Sequence, residues 1–202
     1  MPNNVTNILK ITGKNSKEIL DSLEAFGGDE KNYIDFNLII KMPESLKYTT
    51  SPCKYELVIL NAIKGIKSSE KIKQVLMDLK LSKIATPEEK DFDAALTNFI
   101  YYGYFDWYAW SLGNWGTKWN SYNSKRLTDN TVKFQTAWST PEQVIKKLSE
   151  LYPKNSFTVR YADEDTGSNC GRYIYKAGDL LEDYSPGPCR SPAAKAYARR
   201  IY

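Results

Sequence analysis

Residues 131–161, TVKFQTAWSTPEQVIKKLSELYPKNSFTVRY, decide how this chain is read. Val132, Phe134, Thr136 and Trp138 alternate with Lys133, Gln135 and Ala137, the period of a strand with one face in the core. Thr140-Pro141-Glu142-Gln143 follows as a helix start. It offers a capping threonine, a proline where the first turn needs no N–H, and a side chain placed to close a capping box. Val144, Ile145, Leu148 and Leu151 recur at helical spacing. Phe157, Val159 and Tyr161 then return to alternation.

Downstream come a polar loop from Asp163 to Asn169, a strand with Tyr173 and Tyr175, and a turn at Gly178-Asp179. Leu180 to Tyr184 can return as a further strand. Ser191-Pro192 caps a last helix with Ala194, Tyr197, Ala198 and Ile201 on one side. Lys195, Arg199 and Arg200 lie on its other side or near its end, where cations suit the helix dipole. The order β-α-β-β-β-α predicts an α+β protein, with a ferredoxin-like antiparallel sheet and helices on one face. That fold ordinarily closes with another strand, so the N-terminal segment is expected to join the same sheet.

The N-terminal segment reads as β-α-β. Val5 to Ile11 is a strand. Ile19, Leu20, Leu23 and Phe26 line a short helix ending at Gly27-Gly28. Ile34, Phe36, Leu38 and Ile40 alternate as a second strand. The middle is helical, with Ile72, Val75, Leu76 and Leu79 on one stripe. A second helix starts at Thr86-Pro87-Glu88-Glu89 and runs through Phe92, Leu96, Phe99 and Ile100. The expected organisation is residues 1–131 (β-α-β, helices and an aromatic segment) on the same core as a ferredoxin-like domain, residues 132–202.

Composition narrows the chemistry. The 202 residues are 42% hydrophobic and 26% charged, as in ordinary soluble globular proteins. No apolar run approaches the roughly 18 residues of a membrane span. MPNNVTNILK has neither the basic nor the apolar region of a signal peptide, so a cytoplasmic protein without membrane contact is expected. There is no histidine. That excludes Ser-His-Asp and Cys-His catalysis, the usual zinc enzymes and imidazole pH switches. Cys53, Cys170 and Cys189 form no C-x-x-C pair, which fits reduced thiols. Glycine-rich phosphate loops are missing, and no cofactor or metal is expected. A net charge of +4 is mildly basic.

One segment is out of proportion. YYGYFDWYAWSLGNWGTKWNSY, residues 101–122, holds ten of the 27 aromatic residues and four of the five tryptophans. Tyr104, Trp107 and Tyr108 share a helical face, with Trp110 close by. Gly113 and Gly116 then break the helix, leaving Trp115 and Trp119 on a loop or strand beside Lys118. Such a segment either welds elements together in the core or offers an exposed anchor.

PNNVTNILKITG, IDFNLII followed by KMP, YGYFDWYAWSLGNWGTKWN, and FTVRYADED-x-G-x-NCG-x-Y together resemble the YubB-like proteins of plasmids and phages. The resemblance spans nearly the whole chain, and residues 41–90 match least. It implies a C-terminal ferredoxin-like domain and a setting on mobile elements, and it supplies no catalytic residues. From that setting, the expected function is a non-enzymatic, stoichiometric inhibitor of a host protein or ribonucleoprotein defence complex, of the anti-CRISPR or anti-restriction type.

The partner-binding residues expected on this reading are Trp107, Trp110, Trp115, Lys118, Trp119, Tyr122, Lys125 and Arg126. The alternative is a nucleic-acid-binding accessory protein using Arg160, Arg172, Arg199 and Arg200. Its logic is that arginines on the open face of a sheet can meet phosphates. A third candidate, the loop of Asp163, Glu164 and Asp165, carries hard oxygen ligands but lacks calcium-loop spacing, so a solvated hairpin tip is expected. Asp106 and Asp163 are isolated acid/base candidates.

Overall fold

The alternation of Val132, Phe134 and Thr136 becomes β5 (Thr131–Ala137), with those three side chains buried. In a computed structural model, which describes residues 3–27, 30–47, 49–81 and 87–202, β5 is one of six strands in an antiparallel sheet. Across the sheet the order is β4 (Tyr122–Thr128), β5, β1 (Asn4–Thr12), β6 (Ser156–Asp163), β7 (Cys170–Lys176) and β8 (Asp179–Tyr184). The N-terminal strand β1 lies between β5 and β6, as completion of the sheet requires.

The arrangement is ferredoxin-like. Helix α6 (Glu142–Leu151) buries Val144, Ile145 and Leu148 against one face, where Tyr175 donates its hydroxyl proton to Glu142. Helix α1 (Ser16–Asp21) serves the same face. Arg126, directly opposite Val132, reaches Asp21 at 3.0 Å and Glu24 at 3.4 Å. Beneath these helices Asn7 is fully buried in β1. Its amide donates to Thr136 Oγ1 at 2.8 Å and to the Val5 carbonyl at 3.0 Å, and its oxygen accepts from Thr140. Helix α7 (Pro192–Ala198) is an addition on the opposite face, where Ala198 and Ile201 cover Ile8 and Ala162.

Several local expectations are corrected. Ile34–Ile40 is not a strand, because Asp35 accepts the Asn37 N–H at 2.8 Å and starts a 3-10 turn over Phe36–Leu38. Phe36 remains buried in that turn, while Leu38 is exposed. The first helix stops at Asp21. Phe26 lies instead in β2 (Ala25–Gly27), which pairs with β3 (Glu30–Asn32) as a small second sheet, and its ring is exposed. The capping box at Thr140 does not form, since the Thr140 hydroxyl donates to Asn7 and the side chain of Gln143, which would close the box, lies against Gly116. The cap expected at Thr86 lies outside the described residues. Ser191 does cap α7, accepting from the Ala194 N–H.

The chain divides into two compact units, Met1–Lys41 with Ser111–Tyr202, and Met42–Trp110. The sheet occupies the first. The second is helical: α2 (Glu56–Ile63), α3 (Ser69–Leu81), α4 (Pro87–Tyr102) and the start of α5 (Trp107–Asn114). Its core gathers Ile59, Leu76, Phe92, Leu96 and Phe105, with Phe99 stacked on Phe105 at 4.3 Å. No helix among the described residues is long and apolar enough to cross a membrane.

Candidate functional site

Because β1 alternates, Val5, Asn7, Leu9 and Ile11 point under the helices while Asn4, Thr6, Ile8 and Lys10 point to the outer face. Register then fixes what lies beside them. Lys125 stands opposite Lys133, Lys133 opposite Ile8, Ile8 opposite Arg160, Arg160 opposite Arg172, and Arg172 opposite Tyr184. Directly paired residues share a face, so this row crosses all six strands, a width of about 24 Å at the usual strand spacing. Lys10 sits two residues further along β1 on the same face, flanked by Thr131 and Thr158.

The row is basic and only partly compensated. Arg172 donates to Glu182 Oε1 through Nε at 2.9 Å and through a second nitrogen, and it lies 5.1 Å from the Tyr184 ring. The bond to Glu182 holds its pKa above the ordinary arginine value. Lys133 donates to the main-chain oxygen of Tyr202 at 2.7 Å. Among the described residues, no Asp or Glu carboxylate lies within 4 Å of Lys10, Lys125, Lys133 or Arg160. The face-to-face Lys125–Lys133 pair opposes folding by about 0.2–1 kcal/mol.

Arg160 and Arg172 are thus brought side by side. Arg199 and Arg200 follow α7 on the same face and are exposed. Tyr197 ties that helix to the sheet by donating to the Gly171 carbonyl at 2.8 Å, and burial pushes its hydroxyl up to about 12. Sequence reasoning missed Lys10 and Lys133. Alternation placed each opposite its buried neighbours, but only the strand order puts them on one surface with Arg160.

The aromatic segment is divided between the two units, with the boundary inside α5. Trp107 and Trp110 belong to the helical unit, and Trp110 is buried, with 5% exposure. Trp115, expected as an exposed anchor, is also buried at 3%. Its indole donates to the Ile40 carbonyl at 2.9 Å and meets the Phe36 ring edge-on at 5.9 Å, and Phe36 in turn meets Phe134 at 6.0 Å. This chain of rings welds the 3-10 turn to the sheet. Arg126 is corrected too. Adjacent strand residues point to opposite faces, so Lys125 joins the basic row while Arg126 turns to the acids near α1.

Trp119, Tyr122 and Lys118 remain half-buried at the surface. They are joined by Trp138, which alternation had placed inside with Phe134. Trp138 instead follows the end of β5 with a left-handed φ of +71° and 42% exposure. The Lys118 ammonium lies 4.8 Å from the ring centroids of both Trp119 and Trp138.

The isolated carboxylates have structural partners. Asp106 accepts the Ala109 N–H at 2.9 Å, at the start of α5, and the Cys53 N–H at 3.2 Å. Asp163 accepts from Asn3 at 3.1 Å and from the Asp165 N–H at 2.8 Å. Glu164 accepts from Asn4 at 2.8 Å, and Asp165 pairs with Arg190. Among the described residues no three Cys, Asp or Glu side chains converge as metal ligands. Cys53, Cys170 and Cys189 are unbridged, and burial raises the thiol pKa of Cys53 and Cys170.

Residues 114–194 match the family model described as a ferredoxin-like domain in Api92-like protein. The crystal structure of a protein api92 from Yersinia pseudotuberculosis aligns with 93% of this chain and 100% of its own, at 13% identity and a TM-score of 0.42. No curated protein matches this chain.

Proposed function

We propose that this chain is a non-enzymatic binding protein whose outer sheet face takes single-stranded nucleic acid. The observation that supports the reading most is the transverse row of Lys125, Lys133, Arg160 and Arg172. Like charges set against one another cost folding energy, and a polyphosphate strand laid across them would recover it. The cations stand as two adjacent-strand pairs, Lys125–Lys133 and Arg160–Arg172, on either side of the covered Ile8, and pairs on strands about 4.8 Å apart suit neighbouring phosphates of an extended backbone better than one compact anion.

The test is fluorescence anisotropy with a labelled oligo(dT) of about 12 nucleotides over a salt series. Lys10, Lys125, Lys133 and Arg160 together set a log–log salt slope near −3, at about 0.7 per phosphate contact. Lys133→Gln and Arg160→Gln are each expected to make the slope shallower by about 0.7. Absence of binding, or binding indifferent to salt, refutes the reading.

A second reading keeps the anti-defence inhibitor suggested by resemblance to plasmid and phage proteins. One observation favours it: Leu57, Val58 and Leu60 of α2 are exposed, Leu57 by 75%. Apolar side chains clustered on one short helix suit a protein partner. That reading predicts a stoichiometric complex with a defence effector. Leu57→Lys would abolish the complex, while Arg160→Gln would leave it intact.

A further inference from the structure

Lys118, Trp119 and Trp138 form a cluster that the basic row does not include. Trp119 touches the Tyr122 ring at 6.4 Å, and Tyr122 opens β4 opposite Gln135. The Tyr122 hydroxyl donates to Asn4, the outward residue of β1 that stands opposite Ala137. Lys125, the first cation of the row, follows three residues later on the same strand. The cluster therefore adjoins the end of the outer face where β4 and β5 begin and finish.

The backbone at Trp138 is unusual. A bulky side chain at φ +71° stores roughly 1–3 kcal/mol unless its surroundings enforce it. Here they do. The Trp138 N–H donates to the Asn3 carbonyl at 2.9 Å, and its own carbonyl accepts from Asn169 at 3.1 Å. The next residue is held as well: the Ser139 carbonyl accepts from Thr136 at 2.7 Å, and its hydroxyl donates to Gly116. Core packing does not account for a tryptophan there, since 42% of it is exposed. The strained turn aims an indole at Lys118 and Trp119.

Resting on the nucleic-acid reading, we propose that Trp119 and Trp138 are the base-stacking end of the strand's path. An unpaired base enters between them, and the Lys118 ammonium turns to the adjoining phosphate. A flat ring centred where that ammonium now sits would lie 4.8 Å from each indole centroid, inside the roughly 4.5–7 Å range of aromatic pairs. Each cation–π contact at such a wet site is worth only about 0.5–1 kcal/mol, so the lysine is displaced easily. Charge and shape select the occupant. A basic peptide would be repelled by Lys118 and Lys125, and the carboxylate side chains of an acidic peptide offer no flat ring to two indoles, whereas a nucleotide joins a flat ring to an anion.

The experiment compares three probes on the wild-type protein: oligo(dT), an abasic oligonucleotide of equal length, and the corresponding duplex. Oligo(dT) is expected to bind about 5- to 150-fold tighter than the abasic strand, the range of one stacked base. Trp119→Ala and Trp138→Phe should shrink that preference while leaving the salt slope unchanged. Lys118 adds a fifth phosphate contact to the four of the basic face, so the full slope is about −3.5 and Lys118→Gln should return it to about −3.

Equal binding of oligo(dT) and the abasic strand overturns the stacking site and leaves the basic face standing, whereas duplex binding as tight as oligo(dT) overturns the stacking site and the single-strand preference with it. Failure of every probe to bind overturns both. Because the abasic comparison uses wild-type protein, the result does not depend on how the variants fold.

Discussion

Trp115→Ala separates a core role for the aromatic segment from a surface role. The indole is almost wholly buried, its N–H bonds the Ile40 carbonyl at 2.9 Å, and its ring closes the Phe36–Phe134 chain. Truncating a buried tryptophan costs about 3–5 kcal/mol in transfer and cavity terms. At about 2–4 °C per kcal/mol for a chain of this size, the melting temperature should fall by about 6–20 °C. Trp119→Ala, at a half-buried position, should cost less than about 1 kcal/mol.

Urea titrations followed by circular dichroism would measure both variants against wild type. Trp115→Phe adds a finer reading. It keeps an aromatic ring but leaves the Ile40 carbonyl without its indole donor, for about 1–3 kcal/mol. If Trp115→Ala melted within about 2 °C of wild type, or if Trp119→Ala proved the more damaging, the core assignment would be wrong.

Asn7→Leu should destabilise by about 1–3 kcal/mol for each polar group it orphans, foremost the Thr140 hydroxyl, and Thr140→Val in the same background should recover part of the loss. A double-mutant cycle in urea checks this, and strict additivity would refute a shared network. Stability should change little between about pH 5 and 8, because there is no histidine to titrate. Above about pH 10 it should fall. Burial holds the Tyr161 and Tyr175 hydroxyls well above their ordinary value, so the unfolded chain ionises first and the protonated folded state loses its advantage as pH rises. Melting curves across that range test the sign, and a gain in stability at pH 11 would contradict it.

The elements that were legible share a cause. In β5, α6, β6 and α7 the local pattern and the tertiary environment agree, so alternation and helical spacing carried through to burial. Ile34–Ile40 was misread because Asp35 offered a local bond that competes with a strand ladder, which hydrophobic periodicity does not record. β4 was missed because its helix-side face is made of the half-buried Ser124 and Arg126, with no apolar alternation to reveal it. Its place is set by pairing with β5.

The amino-acid sequence by itself determined the α+β class, the ferredoxin-like half and the loss of all histidine chemistry, since each follows from residue type and spacing. Tertiary structure alone decided the candidate site. Lys10, the Lys125–Lys133 pair of the β4–β5 hairpin, and Arg160 are far apart in the chain and share one face because β1 inserts between β5 and β6. Strand order and register are long-range choices, made by packing the whole sheet against its helices. For the same reason Trp115 became core, while Trp138, which its own alternation would have buried, came to the surface on a left-handed turn.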